Sequence, residues 1–438
     1  MAGSHRAARG GGRAAAREVR RQKARKRNQT IAAGAAVVVL VGGGGIAALN
    51  AFGGDDSAGA KGGGDDKPSK SKVLASDTAL LDTAGVKTLS PTGSWDMKTL
   101  GGGDDTSHVF VCQSQSVADA SVARNWVRTF QNRSTKETAV QYVEVSNDAT
   151  AAGKAYATIV SWFSGCVSEK RTRLSASYQT TGLGDRGWIG VFAQPSGPKT
   201  KYKAISITLA GQATVVVQHD SIGSAPPKPT ALLSTTSAAV QKICTESGGC
   251  GSGTPAVKPS LLPTEPPGFM APVDLPVLSA IDAPWVGTPA RAASVIQCVT
   301  DPKKEKASKV STQTYLAPDA KVPTEFGLDD TVARFASTAA ASAYVSKFRK
   351  TFDGCQKNVS TAKVSVSGTV ATGPVKGKAW EASFETGNGK KFKMRIGVAA
   401  NGSHAVYLLY PVLPNLDISD SAFLETLTRA AERSAAYK

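Results

Sequence analysis

The sequence predicts an α+β protein: an N-terminal transmembrane helix, then two tandem copies of a domain built from an antiparallel sheet and about two helices. Three observations carry this expectation. Tryptophan and cysteine landmarks recur twice in the same order. Each copy changes from helical spacing to alternating apolar residues at the same relative place. An uncharged run, Thr30 to Phe52, separates a basic tail from a polar spacer.

The duplication is read from spacing. One copy has Trp95, Cys112, Phe163-Ser-Gly-Cys166 and Trp188; the other has Trp285, Cys298, Phe352-Asp-Gly-Cys355 and Trp380. The interval from Cys112 to Cys166 nearly equals that from Cys298 to Cys355. The steps onward to Trp188 and to Trp380 match as closely. So long a period means two domains and not a solenoid of short repeats.

Within each copy the first cysteine precedes an extended segment, 122–130 or 309–316. A second strand follows, 138–145 or 331–336, ending in Ser, Thr, Asn or Asp residues suited to cap a helix. The helix is read from one apolar face: Ala152, Ala155, Tyr156, Ile159 and Phe163, repeated as Ala341, Tyr344, Val345, Phe348 and Phe352. Glycine then precedes cysteine and stops it. Period-two segments come next, 188–192, 203–209 and 214–219, turning at Pro195-Ser-Gly197 and Ala210-Gly-Gln212. Their counterparts, 379–386, 392–399 and 404–410, turn at Asn388-Gly389 and Asn401-Gly402, both strong hairpin signals. Amphipathic helices near 231–244 and 420–434 close the copies through Leu232, Leu233, Val240 and Ile243, or Phe423, Leu424 and Leu427.

The segments expected are a basic cytoplasmic tail (1–29), a membrane span (30–52), a Gly/Ser/Asp/Lys tether (53–72), domain 1 (73–250), a Pro/Gly-rich linker (251–274) and domain 2 (275–438). The chain carries a net charge of +18, but the stretch 1–29 holds ten Lys/Arg against Glu18 alone. Half of the basicity is thus a local tail, which argues against nucleic acid as a partner. The run 30–52 is long enough to cross a bilayer, and the positive-inside rule puts the tail in the cytoplasm and the domains outside. Its four consecutive glycines, Gly42 to Gly45, leave two other readings open: a cleaved signal peptide with an exit near Gly45 and Ala47, or a buried soluble helix. The glycines and the lopsided charge fit the last badly.

Six cysteines in an exported chain point to disulfides. Of fifteen possible pairings the duplication favours Cys112–Cys166, Cys298–Cys355 and a local Cys244–Cys250 loop. Each long bridge would stabilise by about 4 kcal/mol on loop-closure entropy. There is no CxxC, and His5, His108, His219 and His404 form no ligand pattern, so no metal or other cofactor is expected.

No catalytic set is legible, and the protein is expected not to be an enzyme. Gly101-Gly-Gly-Asp-Asp105 lacks the Lys-Ser/Thr of a phosphate loop and reads as a turn or loop. The acidic pairs, Asp55/Asp56, Asp65/Asp66, Asp104/Asp105 and Asp329/Asp330, fall in loops or at strand starts and read as solvated turn residues and not as a glycosidase-type carboxylate pair. His219 and His404 read as satisfied or surface sheet histidines. Lys303-Lys-Glu-Lys306 and Lys390-Lys-Phe-Lys393 read as solvated basic faces that could meet anionic envelope polymers. Trp126 and Trp162 have no counterpart in the second copy, which makes them candidates for a site specific to the first.

Each copy resembles the extracellular sensor domain of actinobacterial receptor Ser/Thr kinases, the PknH-like extracellular domain family of actinobacterial envelope proteins. The resemblance covers 75–245 and 275–435. It rests on Trp162-Phe-Ser-Gly-Cys166 and Phe352-Asp-Gly-Cys355, on Gly182-Leu-Gly-Asp185, and on the hairpin Ala210-Gly-Gln-Ala-Thr-Val-Val-Val217. It implies a mixed α/β fold with a groove for an envelope ligand. The chain departs from the family in lacking a second in-domain disulfide near the late strands, and the tail ahead of the span is too short for a kinase domain. No ligand-binding residue can be carried across. The expected function is therefore a non-catalytic, membrane-anchored extracytoplasmic ligand-binding or sensor-like protein. The alternative is a structural or assembly component of the envelope acting through protein contacts.

Overall fold

In a computed structural model of the chain, alternating apolar residues pair into two antiparallel sheets, one per repeat. The structure describes residues 76–438, except 103–107, 167–170, 265, 294–295, 320, 324–325 and 386–390, all within the unit Pro68–Lys438. The expected tail, membrane span and tether lie outside the described residues. No described helix is long and apolar enough to cross a membrane.

The first repeat contains β1 (Trp95–Gly102), β2 (Arg124–Asn132), β3 (Thr138–Val145), helix α1 (Ala149–Gly165), β4 (Arg173–Thr181), β5 (Arg186–Ser196), β6 (Lys199–Ala210), β7 (Ala213–Gly223), helix α2 (Pro229–Ser247) and β8 (Ala256–Pro259). The second contains β9 (Val286–Gly287), β10 (Lys309–Leu316), β11 (Gly327–Arg334), helix α3 (Thr338–Asp353), the single turn α4 (Cys355–Asn358), β12 (Lys363–Thr372), β13 (Val375–Glu385), β14 (Lys391–Asn401), β15 (His404–Pro411) and helix α5 (Asp420–Ser434). The strand order is β1-β2-β3-β7-β6-β5-β4-β8 in one sheet and β9-β10-β11-β15-β14-β13-β12 in the other. Seven strands thus follow one order in both, and the first sheet adds an eighth.

Period two lets each sheet bury both faces. In the first repeat, Val127, Tyr142, Ile205 and Val216 point towards α1, which brings Ile159 and Phe163. Phe130, Val143 and Val217 point the other way, towards α2 with Leu233, Val240 and Ile243. The second repeat does the same, α3 covering Trp380 and Ile396 while α5 covers Val332, Val406 and Leu408. The helices start where the capping residues stand. Asp148 accepts from the Ala151 amide at 2.8 Å. Ser337 accepts from the Ala340 amide at 3.2 Å. Helix α1 ends with Cys166 in the left-handed region at φ 31°. The β6–β7 turn needs Gly211 at φ 59°, since a Cβ there would sit 1.9 Å from the Ser247 carbonyl.

Cys112–Cys166 and Cys298–Cys355 are bonded with Cα atoms 4.6 and 5.6 Å apart, and Cys244–Cys250 with 4.7 Å. Each long bridge joins the loop before the second strand to the end of the helix that follows.

Several expectations are corrected. The proline-rich stretch 251–274 is not a free linker: β8 pairs with β4 as an edge strand, a position that tolerates Pro259. Beyond it, Leu262 is buried in the first repeat, while Phe269 and Met270 are buried in the second. Of the expected loop Gly101 to Asp105, Gly101 and Gly102 end β1, and Gly103 to Asp105 lie outside the described residues. Strand β11 begins at Gly327, ahead of the expected start at 331, so Asp329 and Asp330 lie inside the strand, the former half-buried and the latter not solvated at all. Asp330 is fully buried.

Candidate functional site

The segment between the repeats crosses the first and enters the second, so the two repeats meet along it. Beside it opens a cleft of about 630 Å³. The start of β4 supplies Arg173, β6 supplies Thr200 and Tyr202, and α5 with the residues leading into it supplies Asp417, Ser419 and Glu425. Prolines 195, 226 and 276 form apolar wall, and their fixed backbone stiffens it.

The charges of the cleft are organised in pairs. Arg173 Nη2 lies 2.9 Å from both carboxylate oxygens of Glu425, linking first-repeat sheet to second-repeat helix. Both groups are part-exposed, so the pair contributes at most about 1 kcal/mol. Arg395 grips Asp417 with two nitrogens, Nε at 2.8 Å and Nη2 at 3.1 Å. Its Nη1 reaches Asp420, so the guanidinium fork is used on both sides. Burial pushes the Asp417 carboxyl up, but the Arg395 hydrogen bonds and the Ile418 amide outweigh it and hold the group below its usual range. The cleft therefore presents an ionised carboxylate, a tethered arginine, hydroxyls and proline surface. That suits binding of a polar ligand through hydrogen bonds. Among the described residues it holds no nucleophile paired with a base.

The residues singled out by sequence go elsewhere. The six cysteines are bridged, and none lines this cleft. Trp162 stacks on Phe110 with ring centroids 6.2 Å apart and serves the core around α1. Trp126 is half-buried and lines a separate open pocket of about 620 Å³ with Val117, Val122 and Arg124. His219 is buried, and burial pushes its imidazole pKa down despite Glu137 at 3.5 Å, so it stays neutral at pH 7. His404 Nε2 lies 2.9 Å from the Tyr437 carbonyl and anchors the chain after α5. Lys393 pairs with Glu381 at 2.9 Å, and Glu305 with Lys347; Lys390 lies outside the described residues. Among the described residues no group of His, Cys, Asp and Glu is arranged to hold a metal ion.

Arg173, Thr200, Tyr202, Asp417 and Glu425 are absent from the sequence-level candidates. They come from different repeats and share no motif, so only the docking of the repeats joins them.

No protein-family model matches the chain, and no curated protein matches it significantly.

Proposed function

We propose that the protein is a non-catalytic extracytoplasmic binding protein, held at the membrane by Thr30 to Phe52, that takes a polar envelope ligand in the cleft between its repeats. The observation that carries this reading is the cleft itself, walled by both repeats, with paired charges and hydroxyls facing a volume of about 630 Å³. Concave sites with a few convergent polar groups are where small ligands bind. Three disulfides add support, since such bridges persist in oxidising compartments. The motif-level resemblance to the PknH-like sensor domains points the same way.

The test is retention of envelope components by the full chain, compared with Thr200→Trp. Thr200 is part-exposed on the cleft wall, and an indole there fills the space without removing a core side chain. The expected result is a ligand bound by the wild type and lost in the variant at unchanged thermal stability. Equal retention by both chains would show that the cleft is not the site.

A further inference from the structure

The eighth strand of the first sheet has no counterpart in the second among the described residues. In the first repeat β8 lies antiparallel along the outer edge of β4, with Gln179 opposite Lys258 and Thr180 opposite Val257. The equivalent edge belongs to β12. Both β4 and β12 flank the strand that carries the duplicated tryptophan, Gln179 facing Trp188 and Val366 facing Trp380. Among the described residues no strand pairs with the outer side of β12. Val366 is 58% exposed, an apolar side chain where the covered edge of β4 carries the exposed but polar Gln179.

On β12 the Val364 carbonyl accepts from Gln356 Nε2 at 2.8 Å; the rest of the open edge presents unpaired backbone donors and acceptors, a template for another strand. A bulge interrupts β12 between Val366 and Gly368, but β4 has one between Leu174 and Ala176 and still accepts β8 beyond it. The surroundings of the β12 edge are apolar and basic. Val366 is exposed on β12 itself, and Lys363 on β12 and Lys376, opposite Ala371 on the adjacent β13, are exposed without an ion pair among the described residues. Pairing two copies edge to edge would bring both sets of lysines together.

We propose that the outer edge of β12 is a strand-addition site that receives an extended, acidic segment of a partner polypeptide, seated as β8 is seated on β4. Backbone pairing supplies affinity, the apolar side chains of alternate positions cover Val366, and carboxylates between or beside them meet the lysines.

The experiment places a benzophenone amino acid at Val366 in the full-length chain, in the cells that make it, and at Gln179 as the covered-edge control. The expected result is an adduct from position 366 alone, mapping to an acidic, extended segment of a different polypeptide. Adduct yield should fall about tenfold in Val364→Pro, which removes a backbone donor from the outer side of the edge, and in Lys363→Glu/Lys376→Glu, which reverses the charge and leaves the backbone intact. Thr200→Trp should leave it unchanged, which separates this site from the cleft. No adduct, an adduct to a second copy of the chain, or a yield indifferent to both edge variants would overturn the proposal.

Discussion

The two repeats share a frame and differ in the polar residues buried at one place within it. In the first, Arg128 and Gln141 face each other across β2 and β3, and both hold Leu81: Arg128 donates to its carbonyl at 2.7 Å, and its amide donates to Gln141 Oε1 at 2.6 Å. In the second, the register partners are Gln313 and Asp330, and the backbone they face is Met270. Tyr315, where the first repeat has Phe130, places its hydroxyl 2.7 Å from the Met270 carbonyl and 2.9 Å from Gln313 Oε1. Neither carboxylate oxygen of Asp330 completes a hydrogen bond, although the Met270 amide nearby favours its charged form. Burial, with Asp274 and Asp329 nearby, pushes the Asp330 carboxyl up to about 8. The cation is not lost but moved: Arg433 on α5 pairs with the buried Asp274 at 2.6 Å and donates to the Leu262 carbonyl. One frame thus tolerates a sheet-borne or a helix-borne arginine, provided the arm entering the repeat is held.

The sharpest way to break the comparison is to remove each arginine. Arg433→Met takes the close partner from the buried Asp274, leaving it Arg429 at 4.0 Å and the Ala271 amide, and is expected to cost about 3 kcal/mol. Arg128→Met leaves only carbonyls without a donor, an expected cost of about 1–3 kcal/mol. Denaturant midpoints of the two variants measure the difference, and equal losses would refute the distinct roles.

A smaller effect separates the carboxylate from its amide counterpart. The folded chain keeps a proton on Asp330 that the unfolded chain releases above about pH 4. Stability should therefore fall as pH rises from about 4 towards 8 and level off above that. Asp330→Gln, which imports the residue found at Gln141, should remove that slope and be more stable than wild type at pH 8 by about 2 kcal/mol. Asp330→Asn serves as the volume-conserving control, and denaturation at pH 5 and pH 8 reads the outcome. An unchanged slope in both variants would mean that Asp330 does not carry it.

The smallest difference lies in the paired core tryptophans. Trp380 Nε1 donates to Asp353 Oδ1 at 2.7 Å, while the buried Trp188 Nε1 has no partner among the described residues. Trp380→Phe should cost about 1 kcal/mol more than Trp188→Phe, because only the former discards a hydrogen bond. The same denaturation measurement ranks the two.

The duplication, the alternating strands and the helical stripes are local patterns, and the sheets follow them closely: 138–145 and 309–316 coincide with β3 and β10. Strands β1, β4 and β12 escaped because they lie at or near sheet edges, where one or both faces meet solvent and polar residues blur the period. The stretch 251–274 misled through its prolines, which mark an exposed linker and an edge strand equally. The cleft was not legible at all, since its charged residues come from β4 in one repeat and from α5 and its approach in the other.

By itself, then, the sequence determined the two copies, their helix and strand content and the spacing of their cysteines, because these follow from periodicity along the chain. Only the tertiary structure decided which edge β8 closes and which edge β12 leaves open. It also buried Asp330 and not its neighbour, and it brought Arg173 to Glu425. Those outcomes depend on strand order and on packing between distant segments, and backbone pairing leaves no side-chain signal for a sequence to display.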